Sequence, residues 1–132
     1  HLYCMPILKR ADHQKKLIEA AISGSEKFFY GSDSAPHFKK DKESSCGCAG
    51  IFNTINSIQT LAQIFETYNS LGNLENFVSK NGALHYKLPF NKKKIKLIKT
   101  KISLKFPKTV KINNQEIIVF KPNFKIYWDI YE

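Results

Sequence analysis

Apolar residues recur along this chain in three rhythms, and each predicts a different kind of element. Leu17, Ala20, Ala21 and Ile22 share one face at helical spacing; Asp12 is placed to cap a helix over 13–23 and Gly24 to stop it. Short β-prone runs flank this stretch. His1 to Met5 reads as the end of a strand whose exit is bent by Pro6. Lys27, Phe28, Phe29 and Tyr30 read as a buried strand ended by Gly31. Strand, helix and strand in that order form a βαβ unit, with parallel strands joined by a right-handed crossover.

Farther along, Ile51, Ile55, Ile58, Leu61, Ala62, Phe65 and Tyr68 return every three or four positions, which predicts a long amphipathic helix ending near 70–72. Asn73 is placed to cap a shorter helix through Lys80, and Asn81-Gly82 to break it. From Ile95 the rhythm shortens to alternation through Ile98, Ile102, Leu104, Phe106, Val110 and Ile112, then Ile117 and Val119. Short antiparallel strands are predicted there, with a turn at Asn113-Asn114.

Composition narrows the class. At 132 residues and 42% apolar content the chain suffices for one domain with a core. No run approaches the roughly 18 apolar residues of a membrane span, and no basic-then-apolar leader opens the chain, so a soluble protein is expected. Three cysteines, Cys4, Cys46 and Cys48, make no disulfide framework, and a reducing cytoplasm is the better inference. Cys46 and Cys48 are closer in sequence than the paired cysteines of structural zinc sites, so they are read as thiols packed in a Gly-containing loop.

The formal net charge is +10, with twelve lysines and one acid, Glu116, between Lys87 and Lys125. Lysines interleaved with aromatic rings are one footprint of nucleic-acid binding. Arg10 is the only arginine, however, and no binding motif accompanies the strip, which is therefore read as a solvated face with nucleic acid an unlikely partner.

The chemistry concentrates in Tyr30-Gly-Ser-Asp33-Ser-Ala-Pro-His37, where an apolar run leads into one acid and one histidine. A buried parallel strand would deliver Asp33 to the carboxyl edge of its sheet, where barrel and doubly wound folds keep their active sites. An aspartate in this setting either does chemistry or closes the next turn.

Gly31-Ser-Asp-Ser-Ala-Pro-His37 together with Glu43-Ser-Ser-Cys-Gly-Cys-Ala-Gly50 resembles the last barrel strand and following loop of the bacterial class II dihydroorotases, in the amidohydrolase superfamily. His1-Leu-Tyr-Cys-Met-Pro-Ile-Leu-Lys-Arg10 resembles the substrate-binding segment before them. The likeness is dense over residues 1–50, thinner at Asn81-Gly82 and Tyr86-Lys-Leu-Pro89, and nearly absent from the lysine-rich remainder. The resemblance implies an α/β fold, the carboxyl-terminal part of a (β/α)8 TIM barrel with a small antiparallel β addition. Residues 1–90 would be the last strands and helices of the metal-dependent barrel, with the long helix on its outer wall, and 91–132 a lysine-rich β extension. A complete barrel takes about 250 residues, so roughly half would be missing. The opening His1, in place of an initiator methionine, likewise suggests a segment of a longer polypeptide, with a processing artefact as the alternative.

The resemblance further implies the zinc-dependent, reversible cyclisation of N-carbamoyl-L-aspartate to L-dihydroorotate in pyrimidine biosynthesis. Asp33 matches the catalytic aspartate, which is also a metal ligand. His37 matches the histidine that meets the substrate carboxylate, and Met5 and Ala49 match positions that hold substrate through main-chain atoms. Met5 stands where leucine is common and Ser32 where threonine is. The remaining ligands of the two zinc ions are unmatched: the early His-x-His pair, the carboxylated lysine and two further histidines. The arginine and asparagine that bind substrate carboxylate are unmatched too. His1, His13, His37 and His85 are assigned no metal, and the segment alone is expected to be inactive. A cytoplasmic homodimer containing the amino-terminal part of the barrel is implied. The alternatives are another cyclic-amide hydrolase, of hydantoinase or allantoinase type, and a noncatalytic basic nucleic-acid-binding module.

Overall fold

The computed structural model describes residues 1–7 and 9–131. The chain forms two compact units, each assembled from separated stretches of sequence: His1–Lys9, Ser32–Ser57 and Lys105–Phe124 in one, and Arg10–Gly31, Ile58–Leu104 and Lys125–Glu132 in the other.

The first unit contains α2 (Lys39–Lys42) and the hairpin of β2 (Thr109–Ile112) and β3 (Gln115–Ile118), in register from Thr109↔Ile118 to Ile112↔Gln115. Asn113 and Asn114 both take positive φ, +46° and +62°, as a two-residue hairpin turn that follows the strand twist requires. Ile117 and Val119 are buried on alternate positions. Isolated bridges add Ser34↔Ile51 and Phe52↔Val119, both parallel, and Phe38↔Ile117, antiparallel. Buried Asn56 donates from Nδ2 to the Phe120 carbonyl at 2.9 Å, satisfying a group that would be costly to leave unpaired.

The second unit packs α1 (Ala11–Ile22), α3 (Ser57–Thr67) and α4 (Asn81–His85) with β1 (Lys96–Lys99) and β4 (Trp128–Tyr131), which pair antiparallel from Lys96↔Tyr131 to Lys99↔Trp128. Its core is Ala62, Phe65 and Leu74, with Ile22, Phe77, Leu97 and Trp128 packed against it. Gly24 follows the end of α1 at φ +76°, the left-handed stop that the sequence predicts.

Several sequence expectations need correction. Asp12 does not cap α1: Arg10 holds the cap position without a side-chain bond, and the Asp12 carboxylate lies 3.7 Å from Arg10 Nε and 3.6 Å from His13 Nε2. Neither His1–Met5 nor Lys27–Tyr30 is a ladder strand, so no complete βαβ unit forms within the described residues. Phe28 folds back to donate to the Ser25 carbonyl, while the Tyr30 N–H goes to Phe77 O at 2.8 Å; extended chain without a neighbouring strand has no ladder to join. Ile51 and Phe52 pair in the isolated bridges, and a 3₁₀ turn at Thr54–Asn56 delays the helix until Ser57.

Asn73 does not cap its helix either; its Nδ2 donates to Ile22 O at 2.8 Å. Nor does Asn81-Gly82 break the following one: a π turn at Asn76–Lys80 runs on into α4. Asn81 is buried and donates to both Ser25 O (3.2 Å) and Phe28 O (2.9 Å), so its side chain does not compete for its own backbone. A Cβ on Gly82 would stand 3.2 Å from the Phe29 ring, which makes this glycine a packing residue. Ile102, Leu104 and Phe106 lie in irregular chain, since Thr100 Oγ1 ties back to Ile102 O and Leu104 N to Ile126 O. No helix among the described residues is long and apolar enough to cross a membrane.

Candidate active site

Asp33 adopts φ +43°, an uncommon conformation for a residue with a side chain and one that persists only where its surroundings hold it. Asn53 holds both flanks. Its Nδ2 donates to Ser32 O at 3.0 Å, and its backbone N–H donates to Ser34 Oγ at 3.3 Å. The Ala35 N–H donates to Ile51 O at 3.1 Å, pinning the chain beyond. The Asp33 side chain is exposed and its carboxylate has no hydrogen-bond or ion-pair partner among the described residues. An aspartate serving only to close a turn would accept one of the nearby N–H groups.

The second element is the loop from His37 to Gly50. His37 Nε2 lies 3.1 Å from Ala49 O. A carbonyl only accepts, so Nε2 carries the hydrogen and Nδ1 is the nitrogen left for a ligand. Gly50 is buried at φ +153°; a Cβ there would fall 2.5 Å from Ala35 O and 2.9 Å from His37 Cδ2, so only glycine fits between these segments. The Gly50 N–H donates to Tyr3 O at 3.0 Å, bringing the amino-terminal stretch alongside the loop. Two residues beyond Tyr3, the Met5–Pro6 peptide bond is cis.

These segments surround a cavity of about 200 Å³ whose walls include Met5, Ser32, Asp33, Ala49, Gly50 and Asn53. Three of the four residues singled out from the sequence thus meet at one hollow. His37 is the exception: it borders a much smaller recess with His1 and Lys42 and reaches the larger one through its bond to Ala49. Asn53 Oδ1 is buried and unpaired, and the bond from Nδ2 to Ser32 O fixes which end of the amide is which. The cavity is therefore walled by the residue that carries the unpartnered Asp33 carboxylate, beside main chain made accessible by small residues, while Asn53 Oδ1 is sealed from solvent.

A carboxylate facing a cavity suits zinc as an oxygen ligand, and catalytic zinc sites take three protein ligands. Among the described residues no group of three or more His, Cys, Asp or Glu could hold a metal ion. All three cysteines are free, and Cys46 is exposed where the sequence suggests packing. The lysine strip is partly matched by the chain's own acids: Lys94 to Glu75 at 2.8 Å, Lys99 to Glu66 at 2.6 Å, and Lys111 to Glu116 at 3.7 Å.

Sequence reasoning missed Asn53 and Lys42. Lys42 Nζ donates to Tyr3 O, Cys48 O and Gly50 O at 2.7, 2.8 and 2.7 Å. Nothing distinguishes it within Lys39-Lys-Asp-Lys-Glu43, which reads as a solvated charge run, and Asn53 reads as one polar residue before a helix.

No protein-family model matches the chain. Among curated proteins, it is 45% identical over 130 residues to a dihydroorotase of Yersinia enterocolitica, covering 98% of this chain and 37% of that one. It is 45% identical over 132 residues to a dihydroorotase of Sinorhizobium medicae, covering 100% and 38%. Among solved structures, the dihydroorotase of Saccharomyces cerevisiae in complex with 5-fluoroorotic acid matches 98% of this chain and 37% of its own, with TM-score 0.83 and 35% identity. The dihydroorotase of Campylobacter jejuni matches with TM-score 0.82 and 30% identity, over 100% and 38%. The chain spans less than two-fifths of the length of these relatives. In sequence and backbone alike, it is a homologue of one portion of the dihydroorotases.

Proposed function

We propose that this chain contributes the catalytic aspartate and part of the substrate site to a dihydroorotase that interconverts N-carbamoyl-L-aspartate and L-dihydroorotate. The observation that carries the reading is the cavity where the unpartnered Asp33 carboxylate meets Met5 and Ala49, in a chain 45% identical to dihydroorotases along nearly its whole length. The 5-fluoroorotic acid bound by the yeast relative is a flat cyclic amide with a carboxylate, and it supports the same substrate class here.

In the hydrolytic direction Asp33 takes a proton from the attacking water and returns it to the ring nitrogen as the amide bond breaks; in the biosynthetic direction the same transfers run backwards with loss of water. Zinc, when bound, supplies Lewis-acid polarisation of the amide and a lowered pKa for the water. As an imidazolium, His37 donates to the substrate carboxylate from Nδ1 while its Nε2–H stays on Ala49 O, and the main chain of Met5 and Ala49 holds the ring. The small side chains of Ala49 and Gly50 leave room for that approach.

The remaining ligands of the two zinc ions come from the rest of a longer polypeptide, and the described residues form the carboxyl-terminal part of its (β/α)8 barrel. An apolar hollow of about 590 Å³ in the second unit, walled by Leu17, Ile18, Phe28, Phe29 and Ile64, supports this, because apolar surface of that extent is ordinarily covered. A cytoplasmic homodimer is part of the same reading. The test is substrate choice by the complete polypeptide. Dihydroorotate is expected to be turned over with competitive inhibition by orotate, while hydantoin and allantoin are left intact; the reverse preference would contradict the assignment.

A further inference from the structure

We propose that Lys42 is a positioning residue for substrate binding, the tie that holds the Met5 segment and the Ala49 loop at one fixed separation. The inference rests on the dihydroorotase reading and extends it to a residue outside the substrate contacts. An ammonium group has three N–H donors, and Lys42 Nζ has three carbonyls within hydrogen-bond distance: Tyr3 O at 2.7 Å, Cys48 O at 2.8 Å and Gly50 O at 2.7 Å. Cys48 and Gly50 flank Ala49, and Tyr3 lies two residues before Met5. One cation thus fixes the chain around both main-chain contacts assigned to the ring, while the Ala49 carbonyl between them goes to His37.

The side chain is half-buried, and its ammonium also lies 5.7 Å from the centroid of the Tyr3 ring. Hydrogen bonds with a charged partner are stronger than neutral ones, and three on one atom resist the separation of the strands of chain that they join. Removing the ammonium leaves the Cys48 and Gly50 carbonyls without this donor, and the Gly50 N–H to Tyr3 O bond at 3.0 Å and the exposed His1 Nε2–Glu43 Oε1 contact at 2.9 Å remain between the two segments. Nothing in this arrangement touches Asp33, so the effect falls on binding rather than on proton transfer.

The experiment compares Lys42→Met with the unaltered complete polypeptide, zinc supplied, by steady-state kinetics on dihydroorotate and by amide hydrogen exchange. The expected result is a KM raised about tenfold or more with kcat within about threefold, the pattern of lost uniform binding. Exchange at the Gly50 amide is expected to quicken by about tenfold or more, while the Tyr30 amide, bonded to Phe77 O at 2.8 Å, keeps its protection. An unchanged KM with unchanged Gly50 exchange overturns the proposal. So does equal loss of protection at Gly50 and Tyr30, which would mark general destabilisation. Absence of turnover in the unaltered polypeptide would strike the dihydroorotase reading instead, and the exchange at Gly50 would still decide whether Lys42 is the tie.

Discussion

His37 and Ala49, twelve positions apart in sequence, are joined by a hydrogen bond of 3.1 Å from the imidazole Nε2 to the main-chain carbonyl. The bond orients a ring that is assigned to the substrate carboxylate and at the same time shapes the main chain assigned to the substrate ring. His37→Ala removes both. In the complete enzyme the KM for dihydroorotate is expected to rise about tenfold or more with a smaller change in kcat, since a hydrogen bond to a charged group contributes about 1.5–3 kcal/mol. Steady-state kinetics check this, and an unchanged KM would remove His37 from the site.

Gly50→Ala tests the close approach of the loop to the chain that carries Asp33. The new Cβ would lie 2.5 Å from Ala35 O and 2.7 Å from Ala35 Cβ, and neither is the tip of a flexible side chain. Overpacking of this kind costs about 1–3 kcal/mol, and the positive φ adds strain. A lowered denaturation midpoint is expected in chemical unfolding, together with a raised KM; wild-type stability would show that the loop yields freely.

Asn81→Leu addresses the second unit, where a buried amide donates to Ser25 O and Phe28 O. The leucine would leave Phe28 O without its donor and Ser25 O with the Phe28 N–H alone, at about 1–3 kcal/mol for a group left buried and unsatisfied. The unfolding midpoint reads the loss, and a variant as stable as the parent would mean that water replaces the amide.

Glu75 is held at about 2, below its usual 4.5, first by the hydrogen bond from Lys94 and then by the one from Lys80. A carboxyl group lowered on folding favours the folded state above its ordinary range, and that contribution disappears as pH falls from about 4.5 to about 2. The group is exposed, so salt should weaken the effect. Titration of the Glu75 carboxyl by NMR is expected to give a midpoint near 2 at low salt that rises in Lys94→Ala; equal midpoints in the two proteins would contradict the pairing.

What the sequence makes legible follows from how local each signal is. The Asn113-Asn114 hairpin depends on two adjacent residues that tolerate positive φ, and Gly24 ends α1 for a similarly local reason. Asp33, Met5 and Ala49 were found through a motif, and they line one cavity. The misreadings concern hydrogen bonds settled by distant chain. Lys27–Tyr30 has strand composition but no strand beside it, Asn81 looks like a helix breaker until its amide finds Ser25 and Phe28, and β4 needs Lys96–Lys99 as its partner. Lys42 and Asn53 were invisible because their roles lie in the carbonyls and amides that folding brings to them, and no side-chain pattern encodes those.

Turnover of carbamoyl aspartate and dihydroorotate by the complete, zinc-supplied polypeptide, beside its Asp33→Asn variant, tests whether Asp33 moves the proton. Loss of about a thousandfold in kcat is expected in the variant, with the fold intact and zinc still bound, in keeping with the usual contribution of a positioned acid–base group. Activity within about tenfold of the parent in the variant, or no turnover by a folded, zinc-loaded parent, would contradict that role.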